Sequence, residues 1–270
     1  MAAPTADMLG AALRPLTDAP ERAAVLCDID GTIAPIVERA EQARVPPDAT
    51  RALASMARRY GVVACVSGRS ALDARRLVGV GGIAYAGAHG AELLEPGARE
   101  PAILPEFADY AEPVHRFVAG LDDDGLRALG VRVEDKGPIV ALHWRGAPDE
   151  DAAHAWLRDL VARIDGDGLA THWGRKVLEV RPPVPVTKAR AVHELVGRAD
   201  VVRALYAGDD STDLDAFDAL DRLVADGRLE AAVRVGVASE EGPPAILDRA
   251  DLVVQGPAGF LAALAALAEA

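Results

Sequence analysis

The sequence predicts an α/β protein: a doubly wound parallel sheet interrupted by an inserted α+β module. Three observations predict it. Short apolar runs at 23–26, 62–66, 83–86, 202–207 and 232–237 alternate with helical stretches, the pattern of a parallel sheet with right-handed crossovers. Between about 92 and 182 the order changes to helix, strand, strand, helix, strand, strand, an α+β arrangement with one sheet face covered by helices. Pro182-Pro183-Val184-Pro185 then closes that stretch as a stiff linker, and the first pattern returns. We therefore expect a core of residues 1–91 and 183–270 and an inserted module of 92–182.

The elements follow in order. Residues 6–16 read as a helix packing outside the first strand. The apolar run from Ala23 to Leu26 is a strand, and Asp28-Ile29-Asp30-Gly31-Thr32 is the loop at its C-terminal end, where open α/β sheets bind ligands. Pro46-Pro47-Asp48 starts a helix that Gly61 ends. The strand at 62–66 runs into Ser67-Gly68-Arg69-Ser70, a helix follows to Val78, and the strand at 83–86 ends in Gly87-Ala88-His89-Gly90. In the insert we expect a helix at 104–121, strands at 131–134 and 139–145, a helix at 149–164, and strands near 169–173 and 176–181. Asp122-Asp123-Asp124 reads as a solvated loop. A helix at 187–196 and a strand at 202–207 lead to Gly208-Asp209-Asp210-Ser211-Thr212-Asp213, then a helix from Leu214, strands at 232–237 and 252–254, and a last helix at 257–268.

Bulk properties narrow the class. The chain has 270 residues, half of them hydrophobic, enough for a sizeable core. A formal net charge of −13 argues against nucleic acid as a partner, but leaves room for a small anionic substrate held by a local positive nest. Cys27 and Cys65 are the only cysteines and each sits in a buried-type run, so a disulfide framework is not expected and a reducing cytoplasm is. We see no signal peptide and no run of membrane-spanning length, and expect a cytoplasmic monomer that binds no membrane.

Four loops of the core carry polar groups at strand or helix ends: Asp28 with Asp30, Ser67, Lys188, and Asp209 with Asp210 and Asp213. Carboxylates clustered at one sheet edge repel one another unless a cation offsets them. Oxygen ligands of this kind suit Mg²⁺, and a hydroxyl with a single ammonium suits a phosphoryl group. The set matches phosphoryl transfer to a carboxylate.

Asp28-Ile-Asp-Gly-Thr32, Ser67, Lys188 and Gly208-Asp-Asp-Ser-Thr-Asp213, in this order, resemble the four motifs of the haloacid dehalogenase superfamily, whose core is Rossmann-like. The insert resembles that superfamily's larger α/β cap. Within the superfamily the chain is most similar to the trehalose-6-phosphate phosphatases. That likeness is carried by Ser67-Gly68-Arg69, Gly87-Ala88-His89-Gly90, Glu134-Asp-Lys136-Gly137, Leu142-His143-Trp144-Arg145, Gly174-Arg-Lys-Val-Leu-Glu-Val-Arg-Pro182 and Gly208 to Phe217. The order Thr187-Lys188-Ala189 departs from the family, which has Gly after this lysine and Asn or Asp before it.

The resemblance implies roles. Asp28 would be the nucleophile and Asp30 the general acid and base. Asp28, Asp30 (through its carbonyl), Asp209 and Asp213 would surround Mg²⁺. Thr32, Ser67, Gly68 and Lys188 would bind the phosphoryl group, and His89 would lie near substrate. Residues two apart on a strand share a face, so Glu134 with Lys136, His143 with Arg145, and Glu179 with Arg181 fall on polar faces opposite Val140, Leu142 and Leu178. Such a face is either solvated or turned to a ligand. By resemblance Glu134, Lys136, His143, Arg145 and Glu179 would hold a sugar, giving a phosphatase for trehalose 6-phosphate that acts in trehalose biosynthesis. The same chemistry on another sugar or pseudo-disaccharide phosphate, and a non-catalytic regulatory protein of the same fold, are the alternatives.

Overall fold

A computed structural model describes residues 4–37, 42–164, 168–174, 176–197, 200–239 and 242–270. The chain divides into two compact units, one of Met1–Pro101 with Thr187–Ala270 and one of Ala102–Val186. The first unit thus takes in residues 92–101. The reason is a three-residue strand, Glu92–Leu94, that pairs antiparallel with the strand before it and is too short to show a period in the sequence.

The first unit is built on β1 (Ala23–Cys27), β2 (Val62–Val66), β3 (Ala84–Gly87), β4 (Glu92–Leu94), β10 (Arg203–Gly208), β11 (Ala231–Ala238) and β12 (Leu252–Gln255). Their order is β12-β11-β10-β1-β2-β3-β4; the two-residue β5 (Ala102–Ile103) opens the second unit. Every pair from β12 to β3 is parallel, and the whole of β1 is buried, as a central strand covered on both faces must be. Alternate side chains divide between the faces. Val25, Cys27, Val63, Cys65, Leu205 and Val235 join one core with residues of α1 (Ala6–Thr17), α2 (Pro47–Met56), α3 (Ala71–Val78) and α10 (Gly256–Glu269). On the other face the Tyr206 ring meets Phe217 of α8 (Asp213–Ala225) edge to face, with centroids 6.2 Å apart. The α/β, doubly wound expectation therefore holds.

Local sequence explains the helix limits near the loops. Ser70 caps α3, its hydroxyl accepting from the Asp73 N–H at 3.1 Å, and Gly79 ends that helix in the left-handed conformation. The helix α7 (Lys188–Gly197) begins on Lys188, and α8 begins on Asp213, so both side chains stand at the first turn of a helix.

The second unit has β6 (Arg132–Asp135), β7 (Val140–His143), β8 (Ala170–Gly174) and β9 (Val177–Arg181) in the antiparallel order β6-β7-β9-β8. Val140, Leu142, Leu178 and Val180 bury their side chains with Val114 of α4 (Pro105–Ala119) and Leu157 of α6 (Glu150–Ile164). One expectation is corrected here. The acidic triplet is not a solvated loop but the start of a short helix, α5 (Asp123–Leu129), with Asp122 as its cap accepting from the Gly125 N–H at 3.1 Å. Arg175, within one of the family-like stretches, lies outside the described residues. Among the described residues no helix is long and apolar enough to cross a membrane.

Candidate active site

The four polar loops of the first unit meet at the C-terminal edge of its parallel strands. Asp28 follows β1, Ser67 follows β2 and Asp209 follows β10, all three on adjacent strands. All three side chains are buried, as are Thr32, Lys188 and Asp213. Lys188 is the hub. Its Nζ lies 3.0 Å from Asp28 Oδ1 and donates to Asp213 Oδ1 at 2.7 Å.

Asp213 is fully engaged. Its Oδ1 accepts from Lys188 and from the Tyr206 hydroxyl at 2.7 Å, and its Oδ2 accepts from the N–H groups of Asp209 (3.0 Å) and Asp210 (2.9 Å). A carboxylate offers about four lone-pair sites, and these four donors fill them. Asp213 therefore fastens the 209–213 loop to Lys188. Gly208 permits this, because a Cβ there would lie 2.2 Å from Asp213 Cγ. Tyr206 was not singled out by its sequence. The available signal was a lone phenol in an aliphatic buried strand, which needs a hydrogen-bond partner.

Carboxylate oxygens of Asp28, Asp209 and Asp213 all lie within 4.8 Å of one another. Three carboxylates against one ammonium leave the cluster short of positive charge. The consequence shows in their acidities. Burial pushes the Asp28 carboxyl well up; Lys188 opposes the rise, and Asp213, Asp209 and Asp30 add to it. Burial and Asp213 push Asp209 up to about 7, against the Thr32 hydrogen bond and Lys188. For Lys188, burial works against the ammonium, but Asp213 and Asp28 outweigh it and raise its pKa. A hard cation with oxygen ligands fits this donor set. Asp28 and Asp209 keep lone pairs for it, whereas those of Asp213 are taken.

The remaining expected residues fall as follows. The Thr32 hydroxyl donates to Asp209 Oδ1 at 2.9 Å, so it braces Asp209. Gly31 makes the approach possible: its φ is +91°, and a Cβ there would sit 2.1 Å from Asp209 Oδ2. Asp30 points elsewhere than the acidic cluster. Its carboxylate is gripped by Arg69, so the side chain does not join the candidate metal group. The Ser67 hydroxyl accepts from the Arg69 N–H at 3.2 Å. Gly68 lies against the His89 ring, and the His89 N–H donates to the Ser67 carbonyl at 3.0 Å. Glu92, which the sequence did not single out, is buried and accepts from the Ala71 N–H at 2.5 Å at the start of α3.

In the second unit a polar cluster forms on the sheet face opposite the helix-covered core. Lys136 and Glu179 are both buried, with Nζ 3.5 Å from Glu179 Oε1 and 3.8 Å from Glu134 Oε2. His143 Nε2 lies 2.8 Å from Glu134 Oε2. Arg145 is half-buried just beyond the end of β7. A buried lysine among carboxylates is costly on a merely solvated face, and a paired cluster of donors and acceptors suits hydroxyl groups.

Comparison with known proteins decides the family. The model of the trehalose-phosphatase family matches residues 26–243. The chain belongs to the trehalose-phosphatase family. A trehalose-phosphate phosphatase of Mycobacterium avium is 37% identical over 207 residues, covering 73% of this chain and 51% of that protein. A Mycobacterium tuberculosis protein described as an uncharacterized glycosyl hydrolase is 37% identical over 211 residues, covering 74% of this chain and 15% of its own length. The chain thus spans about half, or much less, of these curated relatives. Among solved structures, the C-terminal domain of Candida albicans trehalose-6-phosphate phosphatase shares the fold, with a TM-score of 0.72, 20% identity, and coverage of 99% of this chain and 98% of that one. A haloacid dehalogenase-like hydrolase from Bacteroides thetaiotaomicron shares the fold as well, with a TM-score of 0.60, 13% identity, and coverage of 90% of this chain and 98% of that one.

Proposed function

We propose that this trehalose-phosphatase family member is a Mg²⁺-dependent phosphatase that hydrolyses trehalose 6-phosphate to trehalose and phosphate. The observation that carries the reading is the buried cluster of Asp28, Lys188, Asp209 and Asp213, at the strand edge that also carries Ser67, in a chain of this family. Asp28 and Asp209 would hold the ion, which when bound supplies positive charge to the phosphoryl oxygens. Lys188, already 3.0 Å from Asp28, neutralises a further oxygen and aligns the carboxylate for attack. Asp28 attacks phosphorus while the bond to the sugar oxygen breaks, and that oxygen takes the proton of the Asp30 carboxyl. Asp30, now a carboxylate, takes a proton from water as the water oxygen attacks phosphorus and the bond to Asp28 breaks. Phosphate leaves and both aspartates return to their starting states.

We infer that the second unit recognises the sugar through Glu134, Lys136, His143, Arg145 and Glu179, and that His89 lies near substrate. The same reading places the protein in the cytoplasm as a monomer acting on a small molecule, in keeping with its unbridged buried cysteines and its net charge of −13. The metal is tested directly. Removing divalent ions with a chelator is expected to stop phosphate release from trehalose 6-phosphate, and added Mg²⁺ to restore it. Full activity of the metal-stripped chain contradicts the reading.

A further inference from the structure

Arg69 has no part in the steps above, yet its side chain is held tightly on one of their residues. Its Nε donates to Asp30 Oδ2 at 2.6 Å and its Nη2 to Asp30 Oδ1 at 2.7 Å. One planar fork thus takes both oxygens of the carboxylate, which fixes its plane as well as its position. The backbone that carries the fork is tied down as well. The Arg69 N–H donates to the Ser67 hydroxyl at 3.2 Å, and its carbonyl accepts from the Ala88 N–H at 2.8 Å. Ala88 and His89 hold left-handed conformations, with φ of +48° and +56°. Non-glycine residues adopt these at a cost, and such strain persists only where the surroundings enforce it. Here it places the Ala88 N–H under the Arg69 carbonyl and the His89 N–H under that of Ser67.

The fork uses one lone pair on each Asp30 oxygen and leaves one on each free. The Asp30 side chain is 35% exposed, against 16% for Arg69, so the paired carboxylate still has surface open to a substrate. A group that hands over a proton in the transition state must present that surface at a fixed point. We propose that Arg69 is a positioning residue that aims Asp30 at the departing sugar oxygen. The proposal rests on the reading of Asp30 as acid and base.

The test compares two leaving groups. The sugar alkoxide of trehalose 6-phosphate needs a proton to depart, whereas the nitrophenolate of p-nitrophenyl phosphate does not. The value of kcat/KM is measured with Mg²⁺ on both substrates for the parent chain, Asp30→Asn, Arg69→Ala and Arg69→Lys, with circular dichroism to verify folding. General acid catalysis contributes about 10²- to 10⁴-fold, so Asp30→Asn is expected to lose that much on the sugar phosphate and far less on the aryl phosphate. Arg69→Ala is expected to lose roughly 10- to 100-fold on the sugar phosphate and under about 3-fold on the aryl phosphate, because a misaimed acid retains part of its effect. Arg69→Lys, which keeps the charge without the fork, is expected to fall between Arg69→Ala and the parent. An equal loss on both substrates in Arg69→Ala, or no loss on either, overturns the positioning role. An equal loss on both in Asp30→Asn overturns instead the assignment of Asp30 on which it rests.

Discussion

Asp28→Asn is expected to remove turnover of trehalose 6-phosphate by about 10⁴-fold or more, as removal of a covalent nucleophile does, and to leave the fold in place. The side chain is buried at the end of a fully buried strand, and its N–H donates to the Ala207 carbonyl at 2.9 Å. Asparagine preserves that volume and backbone bond while replacing the attacking oxygen with a neutral amide. Its effect on stability runs the other way. Burial and three neighbouring carboxylates disfavour the Asp28 charge, and Lys188 opposes them. Deleting the charge therefore relieves repulsion in the metal-free protein, whose thermal midpoint is expected at or above that of the parent. This is the pattern of a site where function is held at a cost in stability. Calorimetry of the two metal-free proteins, beside a phosphate-release assay, checks both halves. A variant that keeps parental activity removes Asp28 from the nucleophile's role.

Lys188→Met is expected to damage both properties together. The ammonium is almost fully buried between Asp28 and Asp213 and is the only cation in contact with them among the described residues. Methionine fits the volume but leaves two buried carboxylates without their partner. Breaking a buried pair from one side costs about 3–5 kcal/mol. For a chain of this size that corresponds to a drop in Tm of roughly 6–20 °C. Asp213 also holds the 209–213 loop through the Asp209 and Asp210 N–H groups, so its displacement spreads to the candidate metal ligands. Activity is expected to be lost and Mg²⁺ affinity to change as well. A metal-free Tm within 2 °C of the parent's would contradict this account of the cluster (roughly half a kcal/mol at this size).

The parallel core was legible because its strands are buried on both faces and read as continuous apolar runs between helices. The candidate cluster was legible because its acids and Lys188 lie at strand ends or helix starts, where the pattern breaks. What bonds to what was not. Asp213 and Tyr206 are seven residues apart, and their hydrogen bond exists only because the loop after β10 folds back on the strand. Arg69 and Asp30 come from loops on adjacent strands, so their pairing depends on the strand order. Thr32 reads as a phosphate ligand by resemblance, and the bond its hydroxyl donates to Asp209, across 177 positions of sequence, could not be read there. The short elements were lost for a different reason: β4 has three residues, and α5 has seven with a glycine inside, too few for a period to emerge. The cap signal at Asp122 was present and was outweighed by the run of like charge.

The sugar is the part of the reading that the core motifs do not specify, and the Lys136–Glu179–Glu134–His143 cluster is where it would be read. The measurement that tests it most directly is kcat/KM for phosphate release with Mg²⁺ on trehalose 6-phosphate and glucose 6-phosphate in parallel. Several hydroxyl contacts made only by the second glucose ring predict a preference for trehalose 6-phosphate of about 100-fold or more, at about 1–3 kcal/mol per buried polar group left unpaired. Equal values for the two substrates would contradict it.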